Sequence, residues 1–280
     1  MQDTLTAAVR IGKLIGTVDP LLSVRDVSMR FGGIVALDQL SFDVERSAIT
    51  GLIGPNGAGK TTVFNCITRM YTPQEGTILF EDRNLLGDRP YEIIRHGLAR
   101  TFQNVELCRR MTVLDNVLVG LHPQMGAGPL DFLAAAVSLP GVWRSERRAR
   151  QRALETLEDV GLANVAELPV AGLPFGTLKA VELARALVSH PKLLLLDEPA
   201  GGLNHEEIDG LTTLLGRIHD TYGLTMLVVE HHMNLVMQVS DHVVCLDFGR
   251  KIAEGAPADV QRNRAVIEAY LGTAEADGAA

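Results

Sequence analysis

An α/β fold built on a mainly parallel sheet is what this sequence predicts, and three observations predict it. Short apolar runs, Ile49–Ile53, Leu193–Leu196 and Leu224–Val229, have the length and composition of strands buried on both faces. Stretches with helical spacing, Lys179–Ser189 and Glu206–His219 among them, alternate with these runs. The first run also opens directly into Gly54-Pro55-Asn56-Gly57-Ala58-Gly59-Lys60-Thr61-Thr62, which reads G-x-x-x-x-G-K-T and precedes the helix-like Thr62–Ile67.

That strand, loop and helix order is the context a phosphate-binding loop requires. Its glycines let the backbone turn successive N–H groups inward, toward a polyphosphate at the positive end of the helix dipole. Lys60 is expected to reach the β and γ phosphates, and the Thr61 hydroxyl to ligate Mg²⁺.

The chain has 280 residues, 46% of them hydrophobic, enough for one globular unit with a substantial core. A net charge of −8 argues against a general nucleic-acid binder, whose affinity rests on clustered Lys and Arg. Cys66, Cys108 and Cys245 are scattered and odd in number, so neither a disulfide framework nor a zinc site is indicated, and a reducing cytoplasm fits. No stretch approaches the ~20 apolar residues of a membrane-spanning helix. Phe132–Trp143 is too short and is broken by Pro140-Gly141. Residues 1–20 read as a frayed leader, with an amphipathic segment resting on a partner or lipid as the alternative; they lack a signal-type core.

In chain order, Leu22–Phe31 and Leu40–Val44 alternate apolar and polar residues about Gly32-Gly33, the pattern of antiparallel strands with one buried face. Phe31 is the aromatic best placed to stack on a base, and plain core is an equal reading of it. After the phosphate-loop helix, Gly76–Glu81 reads as a strand, Tyr91–His96 as a short helix, and Leu98–Phe102 as a strand ending at Gln103-Asn104. An amide at a strand's C-terminal end lies where open α/β sheets bind ligands, which makes Gln103 a candidate Mg²⁺ or water contact. From Val105 to Leu173 the helical Thr112–Gly120 and Ser145–Gly161 suggest an inserted helical subdomain. Its arginines, Arg144 to Arg152, share a helix with Glu146, Glu155 and Glu158 and read as a solvated face.

Two further strand ends carry chemistry. Asp197-Glu198 closes the four-leucine run, so Asp197 is placed to hold Mg²⁺ through its water shell and Glu198 to act as general base on the attacking water. His231, after the next strand, is placed to donate a hydrogen bond to the γ-phosphate. The adjacent His232 invites a metal-pair reading, which the lack of an identifiable acidic partner disfavours.

Taken in order, G-P-N-G-A-G-K-T-T, T-F-Q-N, L-P-F-G-T-L-K-A-V-E-L-A-R-A-L, L-L-L-L-D-E-P, G-G-L-N and V-V-E-H-H-M resemble the nucleotide-binding subunit of ABC transporters over roughly Leu22 to Gly272. Within it, T-F-Q-N-V-E-L, M-T-V-L-D-N-V-L-V-G, D-E-P-A-G-G-L-N, G-R-K-I-A-E-G-A-P-A-D-V-Q and V-I-E-A-Y-L-G are similar to the ATP-binding subunit of branched-chain amino acid importers, the LivG-like group.

The resemblance implies a P-loop NTPase (RecA-like) core with an N-terminal antiparallel β subdomain, the cassette spanning 21–272, its helical subdomain about 105–173, and a flexible tail over 273–280. It implies a head-to-tail dimer, with this chain or a related ATPase, holding two ATP molecules. Lys60, Thr61, Gln103, Asp197, Glu198 and His231 would act on the subunit's own ATP and Mg²⁺, Phe31 would stack on adenine, and Gly176 with Thr177 would complete the partner's site. Val105–Val119 would meet a transmembrane permease at the cytoplasmic face of the bacterial inner membrane, with a periplasmic binding protein acting indirectly.

The segment Leu173-Pro174-Phe175-Gly176-Thr177 departs from the family's L-S-G-G-Q: the serine is missing and Pro174 has no N–H. Weakened closure chemistry is expected in the site it completes. Other small solutes such as urea are alternative cargoes. A soluble ABC-type ATPase is disfavoured by the single phosphate loop and the modest insertion, and a GTPase by the absence of N-K-x-D.

Overall fold

The computed structural model describes residues 19–101, 105–122 and 140–277. Two sheets carry the chain. The first has the order β2-β1-β4-β5, from β1 (Leu22–Phe31), β2 (Ile34–Val44), β4 (Glu75–Phe80) and β5 (Arg83–Asn84), all antiparallel. The second has the order β10-β9-β3-β8-β7-β6, from β3 (Ile49–Ile53), β6 (Leu98–Arg100), β7 (Leu193–Asp197), β8 (Thr225–Val229), β9 (His242–Asp247) and β10 (Arg250–Gly255). All its neighbours run parallel except β10.

The apolar strand runs are explained by what covers them. β3, β7 and β8 are buried along their whole length, because each has a strand on both sides and packed layers on both faces. Side chains alternate across a strand, so each run is split between two cores. Leu193, Leu195, Leu227 and Val229 join Phe64 and Ile67 of α1 (Lys60–Ile67) and the antiparallel sheet's Val24, Leu40 and Phe80. Leu194, Leu196, Met226 and Val228 face the opposite core, with helices α3 (Val113–Val119), α4 (Pro140–Asp159), α5 (Phe175–Leu187) and α6 (His205–Tyr222). Beside it, Ile53 and Cys245 pack on α7 (Met233–Val239) and on Val260 and Val266, from α8 (Pro257–Arg262) and α9 (Arg264–Asp277). The remaining helix, α2 (Pro90–Ile93), precedes β6.

Several elements differ from the sequence reading. β2 starts at Ile34, where exposed Ile34 and Val35 pair with Phe31 and Arg30, so no inward–outward alternation marks it. β6 ends at Arg100; Gln103 lies outside the described residues, as do residues 1–18. α5 starts at Phe175, not Lys179, so the Phe175–Thr177 stretch is the helix's own first turn. β10 and helices α7 to α9 were not anticipated; β10 is a largely polar edge strand with no apolar pattern. Arg147, Arg148 and Arg150 of α4 are solvent-facing, as expected, whereas Arg152 is half-buried.

Leu227 is fully buried at the centre of the parallel sheet. Leu227→Ala is expected to lower unfolding stability by about 2–5 kcal/mol in urea denaturation, through lost transfer energy and a cavity in the core shared with α1 and the antiparallel sheet.

Candidate functional site

The site forms where the parallel strands end. Asp197 lies beside Val229 in the β7–β8 ladder, and Val229 beside Leu52 in β8–β3. The loops after all three strands therefore leave the sheet at one edge, the ligand edge of an open α/β sheet.

The loop after β3 needs its glycines for different reasons. Gly54 has φ 150°, and a Cβ there would lie 2.2 Å from the Leu246 carbonyl oxygen. Gly59, the N-cap of α1 at φ 100°, would place a Cβ 2.6 Å from the Ala36 oxygen. These two let the loop lie against β9 and β2. Gly57, at φ 80°, has nothing within 4 Å of its Cβ position, which leaves that side open to a ligand. Pro55 and Ala58 are buried while Asn56 and Gly57 are exposed. The Gly249 N–H closes the arrangement onto the Ala58 carbonyl at 3.0 Å.

Lys60 is 7% exposed, and its ammonium donates to the carbonyls of Gly54 at 2.6 Å and Pro55 at 2.9 Å. Burial draws its pKa below the ordinary lysine value, opposed by the negative charge of Glu198 and by the Cys245 side chain. Cys245 itself is pushed up to about 12, chiefly by burial, so at neutral pH it is an uncharged thiol and Glu198 is the anion that matters. Thr61 is exposed and Thr62 half-buried in the first turn of α1.

Glu198 follows β7 with φ 47°, in the left-handed region that an L residue occupies at a cost of order 1–3 kcal/mol. Its N–H donates to the Val229 carbonyl at 2.9 Å, and its own carbonyl accepts from Gly201 at 3.0 Å. The side chain, 21% exposed, sits 3.9 Å from Nδ1 of His231. Lys60, Glu198 and His231 are thus brought together at one place.

Asp197 has a partner that the sequence reading lacked: Arg100 donates from Nη2 to its Oδ2 at 2.6 Å. Glu230, fully buried, was also missed. It accepts from the backbone N–H groups of Ala200 at 2.6 Å, His231 at 3.1 Å and His232 at 3.3 Å, tying the loop after β7 to the loop after β8. An acid closing an apolar strand was the signal, the same one that singled out Asp197. Glu230 also corrects the statement that His231 and His232 lack an acidic neighbour, for the three bring their ligand atoms within 4.8 Å. Its oxygens are committed to backbone donors, however, which favours the structural role. Tyr270 of α9 is the third addition, its hydroxyl accepting from the Gly54 N–H at 2.9 Å; no local pattern announced it.

Phe31, at the β1–β2 hairpin, is 41% exposed and meets Tyr71 edge-on at 5.1 Å, so it is not closed into the core. Gly176 and Thr177 lie in the first turn of α5, both half-buried. A Cβ on Gly176 would lie 2.9 Å from Oε1 of Glu207, and the Phe175 ring covers Gly202. The oxygen donors Thr61 and Asp197 suit a hard cation such as Mg²⁺.

Sheet order, phosphate loop and strand-end carboxylates define a P-loop nucleotide-binding ATPase domain. The comparisons narrow it: residues 37–201 match the ABC transporter model, and residues 250–276 match the model described as branched-chain amino acid ATP-binding cassette transporter. The chain is 41% identical to the high-affinity branched-chain amino acid transport ATP-binding protein BraF of Pseudomonas aeruginosa and 42% identical to LivG of Escherichia coli, in each case over 91% of this chain and 99% of the relative. The ADP conformation of the ATP-binding cassette MJ1267 superimposes with a TM-score of 0.78 at 30% identity, over 90% of this chain and 99% of that one. The chain belongs to the ATP-binding subunits of the ABC transporter family, ATPases coupled to transport. Among the described residues no helix is long and apolar enough to cross a membrane.

Glu230→Gln can satisfy only one side of this three-donor bridge, since its amide nitrogen cannot accept. Stability is expected to fall by about 1–3 kcal/mol in thermal or urea unfolding. An unchanged midpoint would show that the bridge is dispensable.

Proposed function

We propose that this chain is the ATP-hydrolysing subunit of an importer for branched-chain or related amino acids, working at the cytoplasmic face of the bacterial inner membrane. The observation that carries the cargo reading is the C-terminal segment, residues 250–276, which matches the branched-chain cassette model and lies outside the general ABC match. The same segment contributes Tyr270 to the phosphate loop.

In the proposed cycle the loop amides and Lys60 hold the β and γ phosphates, and Phe31 stacks on adenine. Thr61 and Asp197, with Gln103, would hold Mg²⁺, which supplies charge neutralisation on the phosphate oxygens. Glu198 accepts a proton from water as the water oxygen bonds to the γ-phosphorus and the bond to the bridging oxygen breaks, leaving ADP. His231 donates a hydrogen bond to the γ-phosphate, and the short distance to Glu198 supports assigning both to one reacting centre.

The second half of the site is assigned to the Phe175–Thr177 turn of a partner cassette, a related chain or a second copy, in a head-to-tail dimer. Pro174 stands at the N-cap of α5 with no side-chain hydrogen bond to the first turn, so the helix end lacks the oxygen a serine would provide. Permease docking is assigned to the cavity of about 260 Å³ lined by Ile94, Glu106, Val119 and Arg185, whose Ile94 and Val119 are exposed apolar side chains. This keeps Val105–Val119 as the permease-facing stretch and 105–173 as a helical subdomain. A periplasmic binding protein would select the cargo.

Glu198→Gln is expected to keep ATP binding, measured with labelled nucleotide, while phosphate release falls by ~10²–10⁴-fold. Normal turnover in that variant would remove Glu198 from the mechanism. Pro174→Ser should stabilise α5 by about 0.5–2 kcal/mol through the new cap, and should raise ATP turnover in the assembled transporter. Unchanged turnover would mean that the proline does not limit the site.

A further inference from the structure

Arg100 ends β6, one residue along the chain from Thr101 and three before Gln103, and pairs in register with Leu195 of β7. Its side chain is 9% exposed and that of Asp197 is 4% exposed. The guanidinium spends its donors on two elements at once. Nη2 donates to Asp197 Oδ2 at 2.6 Å, while Nη1 donates to Asn65 Oδ1 at 2.8 Å and to Thr68 Oγ1 at 3.2 Å, both from the phosphate-loop helix or its C-cap. The group also lies 5.5 Å from the centre of the Phe64 ring. Such a buried ion pair is weak evidence for stability, because desolvation of both charges offsets their attraction and apolar residues of similar volume often serve as well. Its placement on the carboxylate that the mechanism gives to the metal calls for another account.

We propose that Arg100 is a positioning residue that acts as the resident counter-ion of Asp197, so that a divalent cation binds this carboxylate against a fixed positive charge already seated on one of its oxygens. The guanidinium keeps Oδ2 turned toward β6 and α1, orienting the other oxygen, and lowers the site's affinity for metal. The inference rests on the reading of Asp197 as a metal-site residue. Its sign is distinctive: loss of a merely structural contact would loosen the site and weaken metal binding, whereas loss of a competing charge tightens it.

The test is equilibrium binding of Mn²⁺ to the full-length protein in the presence of ADP, with free Mn²⁺ measured by electron paramagnetic resonance. Arg100→Gln is expected to tighten Mn²⁺ binding by ~5-fold or more, the lower bound set by removing a unit charge a few ångströms from the ion even under the full screening of water. Affinity for ADP without metal should not change. An unchanged or weakened Mn²⁺ affinity overturns the proposal. If Arg100→Gln does not fold, Arg100→Lys serves: a flexible ammonium without the planar fork holds Oδ2 less firmly, and Mn²⁺ binding should tighten by a smaller factor, with no tightening counting against the idea. Asp197→Asn separates this inference from its premise. It should weaken Mn²⁺ binding and diminish the tightening produced by a second Arg100→Gln substitution, since the part that acts through the carboxylate is lost; if Asp197→Asn alone leaves Mn²⁺ affinity intact, the metal role of Asp197 falls and the counter-ion role falls with it.

Discussion

The parallel register of β3, β8 and β7 is the constraint on which the rest of this molecule depends. Leu52 lies beside Val229 and Val229 beside Asp197, so the phosphate loop, Glu230-His231 and Asp197-Glu198 emerge at the same height of one sheet edge. Because side chains alternate along a strand, a one-residue slip in β7 would exchange its two buried faces and move the carboxylates relative to the loop. The four consecutive leucines tolerate burial on either face, so the register is held by the different cores they meet and by the Glu198 N–H bonding onward to Val229.

Around that edge, buried charge is arranged rather than avoided. Lys60 is held by two loop carbonyls, Asp197 by Arg100, and Glu230 by three backbone N–H groups. Each compensating contact joins different segments: β3 loop to its own helix, β6 to α1 and β7, and the β7 loop to the β8 loop. The electrostatic demands of the site and its geometry are thereby met by the same bonds. A buried carboxylate with well-placed donors has its oxygens satisfied and is also held rigid. Glu198, kept in a left-handed backbone conformation, is the one member of the set whose strain must be carried by its surroundings.

How much could be read from the chain follows from which signals are local. Gly54, Gly59 and Lys60 form a contiguous motif, and the apolar runs before Asp197 and His231 need only a few adjacent residues to be recognised. The start of β2 was hidden because Ile34 and Val35 are exposed, and β10 because its residues are mostly polar at an edge. The first turn of α5 was hidden because Pro174 and Gly176 read as helix breakers, although proline fits immediately before a helix and glycine is tolerated in its first turn.

The sequence by itself determined the fold class, the phosphate loop, the strand-end acids and the family, since each is carried by neighbouring residues and by periodicity. Only the tertiary structure decided the partners of those groups. Arg100 meets Asp197 across 97 positions, Glu230 meets Ala200 across 30, and Tyr270 meets Gly54 across 216. No local pattern encodes such pairs, because they arise when parallel strands distant in the chain are laid side by side and the helices that cover them close over the same edge.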